Sequence, residues 1–502
     1  MHLAKSPLIK NILVLITVWT VLLSACEPAR PETPTVLPPT AEPTHTPPPV
    51  PSPSPTNTPV PLPKLTLQEG DMYFSLDGVE RAIFARNLGG YQVSQYAQLL
   101  GLTRQGGSLV ARLQIDSMGM GYTRMGQLDE IWLRKWEMVL NDAEAKGIYV
   151  IPVFAAWFDW NNGTPDYGYS TWKSNPLNQG NRGPAGTPAE LFQKDSVTQK
   201  LWLNWMKTIV ERWQGRRNIA AWEIFSEVNL ATGATEQNGT AFVEEAARLI
   251  RAADPTGRPI TASLADMGEW SSFYRSDAID FINLHPYPPS ARLDTYILSL
   301  VHKKLDQYGK PVLIGESGLS AAVPDSEAGK ITVAEHADRG VRHAIWAMLV
   351  SGSMNGRMLY WEDGFGIYFP SLEWPFLNQY AEIESAAVDF SKDIDFAGFE
   401  PLPAQHGGGI TGATLGNEEM VIGWFRDAGC EPPDWPLKPV ISGQKVTLTV
   451  PGAASEWQVD FYNTQTGVDI LSSALITRQG DMISVLLPDF TDDIAFKLYP
   501  QP

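Results

Sequence analysis

From about residue 65 the chain alternates two rhythms of apolar and polar positions. Short apolar runs recur at "IFARNLGG" (83–90), "LVARLQI" (109–115), "IYVIPVFAA" (148–156), "IAAWEIF" (219–225), "PITASL" (259–264), "FINLHPY" (281–287), "PVLIGES" (311–317) and "RMLYWED" (357–363). Runs this short and this apolar read as buried strands. Between them lie segments with apolar spacing near 3.6. "EIWLRKWEMVLNDAEAKG" (130–147) ends on Gly147, a helix stop, and residues 197–214, 241–254 and 333–350 behave alike. Eight strand–helix units in a row predict an α/β fold, a (β/α)8 TIM barrel. An open doubly wound sheet is the alternative, but no GxGxxG follows the first strand. From about residue 400 the rhythm shortens. "EMVIGWF", "KVTLTV", "WQVDFYN", "ISVLLP" and "IAFKLYP" are separated by Gly, Pro and Asp turns. That pattern predicts a small C-terminal β-sandwich. The expected boundaries are a barrel over 65–395 and a sandwich over 396–502.

The segment before the barrel has neither rhythm. Lys5 and Lys10 precede the apolar run "ILVLITVWTVLL", too short for a membrane span, which leads into "LSAC" at 23–26. This resembles a bacterial lipobox, which implies a signal peptide over 1–25, a lipid on Cys26 and an extracytoplasmic protein anchored to the membrane. A plain secretory signal is the alternative. Residues 26–64, with stretches such as "PTHTPPPVPSPSPTNTP", cannot bury a core and read as an extended Pro/Thr-rich linker. At about 3.1 Å per residue it could reach roughly 110 Å. With Cys26 lipidated, Cys430 has no partner, so no intramolecular disulfide is expected.

Composition narrows the partners. The chain of 502 residues is 43% hydrophobic, enough for a large core, and carries a net charge of −18, which argues against nucleic acid and anionic membrane surfaces. Its seven histidines show no metal-ligand spacing, and neither a metal nor another cofactor is expected. A monomer is expected.

In a (β/α)8 barrel, chemistry sits where the strands end. The polar residues at those ends are Arg112, Glu227, His285, Tyr287, Glu316 and Trp361. Glu227 and Glu316 close the fourth and seventh strands, on opposite sides of the mouth. Two facing carboxylates are what glycosidic cleavage needs, one protonated as acid and one ionised as nucleophile or base.

The set "AWEIFSEVN", "NLHPYP", "LIGESG" and "LYWED" resembles strands four, six, seven and eight of clan A glycoside hydrolases, closest to family 5, over about residues 71–390. The resemblance implies a retaining β-glycosidase acting on a β-linked poly- or oligosaccharide of mannan or glucan type. It makes Glu227 the acid/base and Glu316 the nucleophile. It also implies sugar-site roles for Arg112, His285, Tyr287 and Trp361, with Tyr287 touching the nucleophile. One position departs from the family. Ser226 stands where asparagine usually contacts the sugar 2-hydroxyl.

Other residues carry competing readings. Glu223 lies on the same strand face as Glu227 and is expected to be a buried structural partner of Arg112. His285 taken alone would be a core histidine; its motif moves it to the site. Trp157 and Trp160, after the third strand, are expected at the mouth as sugar platforms. Trp132, Trp136, Trp202, Trp205 and Trp213 are expected in the core. Asn229 either touches substrate or caps its turn, and the cap is preferred. The loop over 160–190 is expected to wall the cleft. The sandwich is expected to be a packing appendage rather than a carbohydrate-binding module. The alternative function is a non-catalytic, carbohydrate-binding barrel at the cell surface, for which Ser226 is the main support.

Overall fold

The first seven predicted barrel strands are found where their apolar runs lie. The computed structural model describes residues 62–501 apart from 90–91, 164–169, 266–267, 291, 319–329, 331–333 and 358–373. The barrel strands are β1 (Ile83–Leu88), β2 (Val110–Gln114), β3 (Tyr149–Val153), β4 (Trp222–Glu223), β5 (Ile260–Thr261 and Ser263–Ala265), β6 (Ile282–His285), β7 (Val312–Ile314) and β8 (Asn355–Arg357). They pair in parallel in the order β8-β1-β2-β3-β4-β5, and β5 continues through its second segment to β6 and β7. The seam between β7 and β8 is closed by Met354, whose N–H donates to the Val312 carbonyl at 2.7 Å. The Asn355 amide completes it, accepting from Ile314 N–H and donating to Ile314 O, both at 2.9 Å. The eighth strand lies earlier than the predicted 357–363, and the rest of that run is outside the described residues.

The helices that follow the strands are α1 (Val93–Gln105), α2 (Glu130–Ala145), α3 (Val197–Trp213), α4 (Glu236–Ala253), α5 (Ser271–Arg275), α6 (Leu293–Tyr308), α7 (Ala334–Val350) and α8 (Trp374–Ser391). Asp129 caps α2 by accepting from the N–H groups of Ile131 and Trp132. The tryptophans expected in the core are there. Trp132, Trp136, Trp202, Trp205 and Trp213 are all buried, and Trp132 stacks on Trp213 with ring centroids 6.3 Å apart. A small antiparallel sheet of Leu65–Thr66, Phe74–Leu76 and Val79–Arg81 precedes the barrel. Its Leu65 and Phe74 pack with Ile83, Val110 and Ile151 and plug the end of the barrel where the strands begin. Access is left to the other end, where the strands finish.

The barrel wall is also tied by charge. Glu384 of α8 is fully buried and accepts from Arg86 of β1 at 2.7 Å, from Arg357 of β8 and from Ser108.

The C-terminal part is a β-sandwich. One sheet runs in the order β9 (Glu400–Leu402), β11 (Ile410–Gly416), β12 (Val421–Asp427), β17 (Asp493–Pro500), β14 (Glu456–Tyr462) and β15 (Ile470–Thr477). The other runs β10 (Ala404–His406), β13 (Lys445–Thr449) and β16 (Met482–Leu486). Phe425 and Phe496 stack within the core between them. Barrel and sandwich belong to one compact unit. On the barrel side, Arg339, Arg342 and His343 of α7 converge on Asp492, just before β17. Arg426 of β12 donates to Asp294 of α6.

Candidate active site

Strand alternation turns Asn87, Arg112 and Glu223 inward at one level of the barrel. The arginine, 1% exposed, uses all five of its N–H donors on protein acceptors. Nε and Nη2 grip Glu223 in a two-pronged pair at 2.7 Å each. Nη1 donates to Asn87 Oδ1 at 2.9 Å and to Glu316 Oε1 at 2.7 Å. Nη2 also reaches Ser226 Oγ at 2.9 Å. Glu223 is therefore the structural partner that its place on the strand suggests. Arg112, expected to face the sugar, is instead a fixed cation that positions Glu316, because no donor remains for a ligand.

Beyond Glu223 the fourth strand stays bonded to its neighbours as far as Ser226, with Ile224 N–H donating to Thr261 O at 2.8 Å and Ser263 N–H to Phe225 O at 3.0 Å. Ser226 N–H donates to Ala155 O at 2.8 Å, and the chain then turns at Glu227 with φ 58° and ψ 53°. This left-handed conformation is unfavourable for a residue with a Cβ and concentrates at functional sites. The Ser263 hydroxyl holds it in place, accepting from Glu227 N–H at 3.0 Å. The turn throws the Glu227 carboxyl over the mouth, where its Oε1 lies 3.0 Å from His285 Nδ1.

Glu316 arrives from the other side, two residues beyond β7. The residue before it has to be glycine, because a Cβ on Gly315 would lie 1.9 Å from Asn283 Oδ1. Tyr287 donates to Glu316 Oε2 at 3.0 Å, and His285 Nδ1 lies 3.5 Å from the same oxygen. One oxygen of Glu227, one of Glu316 and a His285 nitrogen all lie within 4.8 Å of one another.

The two carboxyls are biased in opposite directions. Burial pushes Glu316 up, but the charges of His285 and Arg112 and the hydrogen bonds from Arg112 and Tyr287 outweigh it. Glu316 is held below the ordinary glutamate range. Burial also pushes Glu227 up, and the charge of Glu316 adds to it. The bond and charge of His285, with Arg112, offset this only in part, so Glu227 sits above the ordinary range. The same three side chains offer metal-ligand atoms, but the Arg112 cation already occupies Glu316 Oε1. His343, Cys430 and Asp492 form a second such cluster, where Arg339 and Arg342 supply the positive charge.

Ser226 is beside Glu227 but only 2% exposed, drawn back onto Arg112. Trp157 is half-buried, and its N–H donates to Ser226 O at 3.1 Å, so it borders the site. Trp160 is not a platform at the mouth. It is fully buried, with its ring centroid 5.6 Å from that of Trp172. Asn229 does not cap its own turn; its Oδ1 accepts from Ala265 N–H at 2.7 Å and ties the turn to β5. The described part of the 160–190 loop is built on buried Trp172, Leu177 and Ala185. It adjoins the Glu227 turn through Asn161, which donates to Leu230 O at 2.8 Å. Trp361 and Cys26 lie outside the described residues. Asn87 and Ser263 are site members the sequence reading did not name. Asn87, polar at the end of an apolar run, carried a usable signal; Ser263, one small residue in "PITASL", carried none.

A barrel whose mouth holds an acid-biased and a base-biased carboxylate within reach of one bond is built as a glycoside hydrolase. The chain belongs to glycosyl hydrolase family 5: the family model described as cellulase matches residues 76–352. A mannan endo-1,4-beta-mannosidase 3 of Oryza sativa subsp. japonica is 23% identical over 231 residues, covering 38% of this chain and 48% of that one. The chain thus spans about half the length of that relative. A family 5 glycoside hydrolase from Bacteroides vulgatus ATCC 8482 shares the fold at 13% identity and a TM-score of 0.57, covering 87% of this chain and 94% of its own. A putative glycoside hydrolase of the same organism does so at 11% identity and 0.54, covering 87% and 82%.

Proposed function

We propose that the chain is a retaining β-glycoside hydrolase that works by double displacement, with Glu316 as nucleophile and Glu227 as acid/base. The observation that carries this is the opposite bias of two carboxyls whose near oxygens lie within 4.8 Å. That proximity supports the roughly 5–5.5 Å spacing of retaining enzymes over the about 6.5–9.5 Å of inverting ones. Ionised Glu316 attacks the anomeric carbon while Glu227 gives its proton to the departing oxygen. The glycosidic bond breaks and a Glu316–sugar ester forms. Glu227, now ionised, takes a proton from water, and the hydroxide displaces Glu316. His285 contacts both carboxyls and couples their charges through the cycle.

The substrate we favour is a β-mannan-type chain. Ser226 cannot extend an amide to an equatorial 2-hydroxyl as asparagine would, whereas an axial one is presented differently. The likeness to a mannosidase points the same way. We also place the enzyme outside the cytoplasm on a lipid at Cys26, with residues 26–64 as its tether.

A mechanism-based 2-fluoro-glycoside tests the assignment. It should label Glu316 and no other residue, and Glu316→Gln should abolish turnover of aryl glycosides. Label elsewhere overturns the roles. Sugar binding with neither label nor turnover would make this a non-catalytic binding barrel.

A further inference from the structure

Strand β15 stands at the rim of the six-stranded sheet, paired with β14 on one side and, among the described residues, with nothing on the other. Seven of its eight residues, "ILSSALIT", are exposed, and none is charged or proline. Leu471 is 53% and Leu475 66% exposed. A groove of about 370 Å³ runs alongside, between Leu475 and Leu486, the latter 65% exposed. Sheets normally blunt such rims with charge, proline or a short strand, because the unpaired backbone groups recruit another strand. β16 of the other sheet approaches β15 across the turn that joins them but forms no ladder with it.

The backbone direction can be read. Arg478 N–H donates to Ser455 O at 2.8 Å, toward β14. Counting back by two, the backbone of Ile476 and Ala474 also faces β14, and that of Thr477, Leu475 and Ser473 faces outward. Three residues therefore offer free N–H and C=O groups along a rim with exposed leucines.

We propose that β15 is an interface between two copies of this chain, paired antiparallel about a two-fold axis into one twelve-stranded sheet. Charge favours one direction, although the Arg478 guanidinium is itself held by the Gly452 and Val450 carbonyls of its own chain. Asp469 precedes the strand and Arg478 follows it. Antiparallel pairing sets the Asp469 end of each copy beside the Arg478 end of the other, whereas parallel pairing would set like beside like. The uncharged stretch between them lets a chain of net charge −18 approach itself at this rim. The exposed aliphatics lack the aromatic platform a sugar-binding face would offer. This dimer replaces the monomer expected from the sequence, and it does not depend on the catalytic assignment.

Residues face the same side of a shared sheet only when the axis passes through a residue position, so Ser473, Ala474 or Leu475 must meet its own copy. The purified full chain carrying Cys26→Ala should sediment as a dimer at micromolar concentration, and Leu475→Lys should return it to monomer with unchanged aryl-glycoside turnover. Single cysteines at Ser473, Ala474 and Leu475 should include one that forms a reducible cross-link at high yield, since paired Cα atoms lie within disulfide range. Ser442→Cys, exposed in the loop before β13, should not cross-link. A monomer at tens of micromolar overturns the proposal. So does a dimer indifferent to Leu475→Lys with no cross-link at any of the three. A monomer retained on insoluble mannan until Leu475→Lys is introduced would assign the rim to carbohydrate instead.

Discussion

Ser226 concentrates the chemistry that distinguishes this site from its family's pattern. Its hydroxyl accepts from Arg112 at 2.9 Å and turns away from the mouth. Asparagine there would carry an amide out toward the sugar bound next to Glu227. A hydrogen bond that strengthens in the transition state raises kcat/KM for the substrate that offers it. Ser226→Asn should therefore raise β-glucoside over β-mannoside turnover by about tenfold, the equivalent of about 1.4 kcal/mol. Matched aryl glycosides measure the ratio, and an unchanged ratio removes Ser226 from sugar recognition. At this scale the sequence was informative wherever a charged residue interrupts an apolar strand end, as Glu227, Glu316 and Arg112 do. It was silent on Ser263, whose role arises only because β4 and β5 lie side by side. It was equally silent on the left-handed turn at Glu227, which no neighbouring glycine announces.

Among elements, the legible ones were those buried on both faces. Barrel strands such as β2 and β3 are continuous apolar runs because helices cover them outside and side chains fill them inside. β11 escaped the reading because of Gly412 and Gly416. A Cβ on either would lie 2.0 Å and 2.3 Å from the backbone carbonyls of Trp424 and Met420, so the strand gives up its hydrophobic signal to fit. β15 escaped because only Ile476 of its eight residues packs on the core, which leaves no alternation to read. The tie between α8, β1 and β8 could not be seen either, since Arg86, Arg357 and Glu384 are far apart in sequence. Removing that tie should be costly. Glu384→Ala leaves two buried guanidiniums without their carboxylate, and breaking such a cluster costs about 3–5 kcal/mol. Urea unfolding should show that loss; a change below about 1 kcal/mol would mean the arginines find other acceptors.

For the whole molecule, the point of interest is how the sandwich is held on the barrel. Burial opposes ionisation of Asp492, but His343, Arg342 and Arg339 prevail and hold its carboxyl well below the usual range. A depressed carboxyl contributes stability that is present above its unfolded value, near about 3.9, and is lost as pH falls toward the folded one. Docking should thus be insensitive to pH from neutrality to about 4 and weaken below that. Asp492→Asn should cost about 3–5 kcal/mol at neutral pH, and this difference from the natural chain should shrink in acid. Equilibrium unfolding of both proteins at pH 7 and pH 3 gives the comparison. An equal penalty at both values would mean that packing of α7 on β12, rather than the charge, holds the two parts together.

The backbone at Glu227 sets two pressures on this lineage against each other. In the left-handed region glycine is the relaxed choice, so a library screened for heat resistance alone should drift toward glycine at this position and go silent on sugar. With Glu227 in the proposed acid/base role, glutamate should persist there only in libraries selected for turnover as well as endurance.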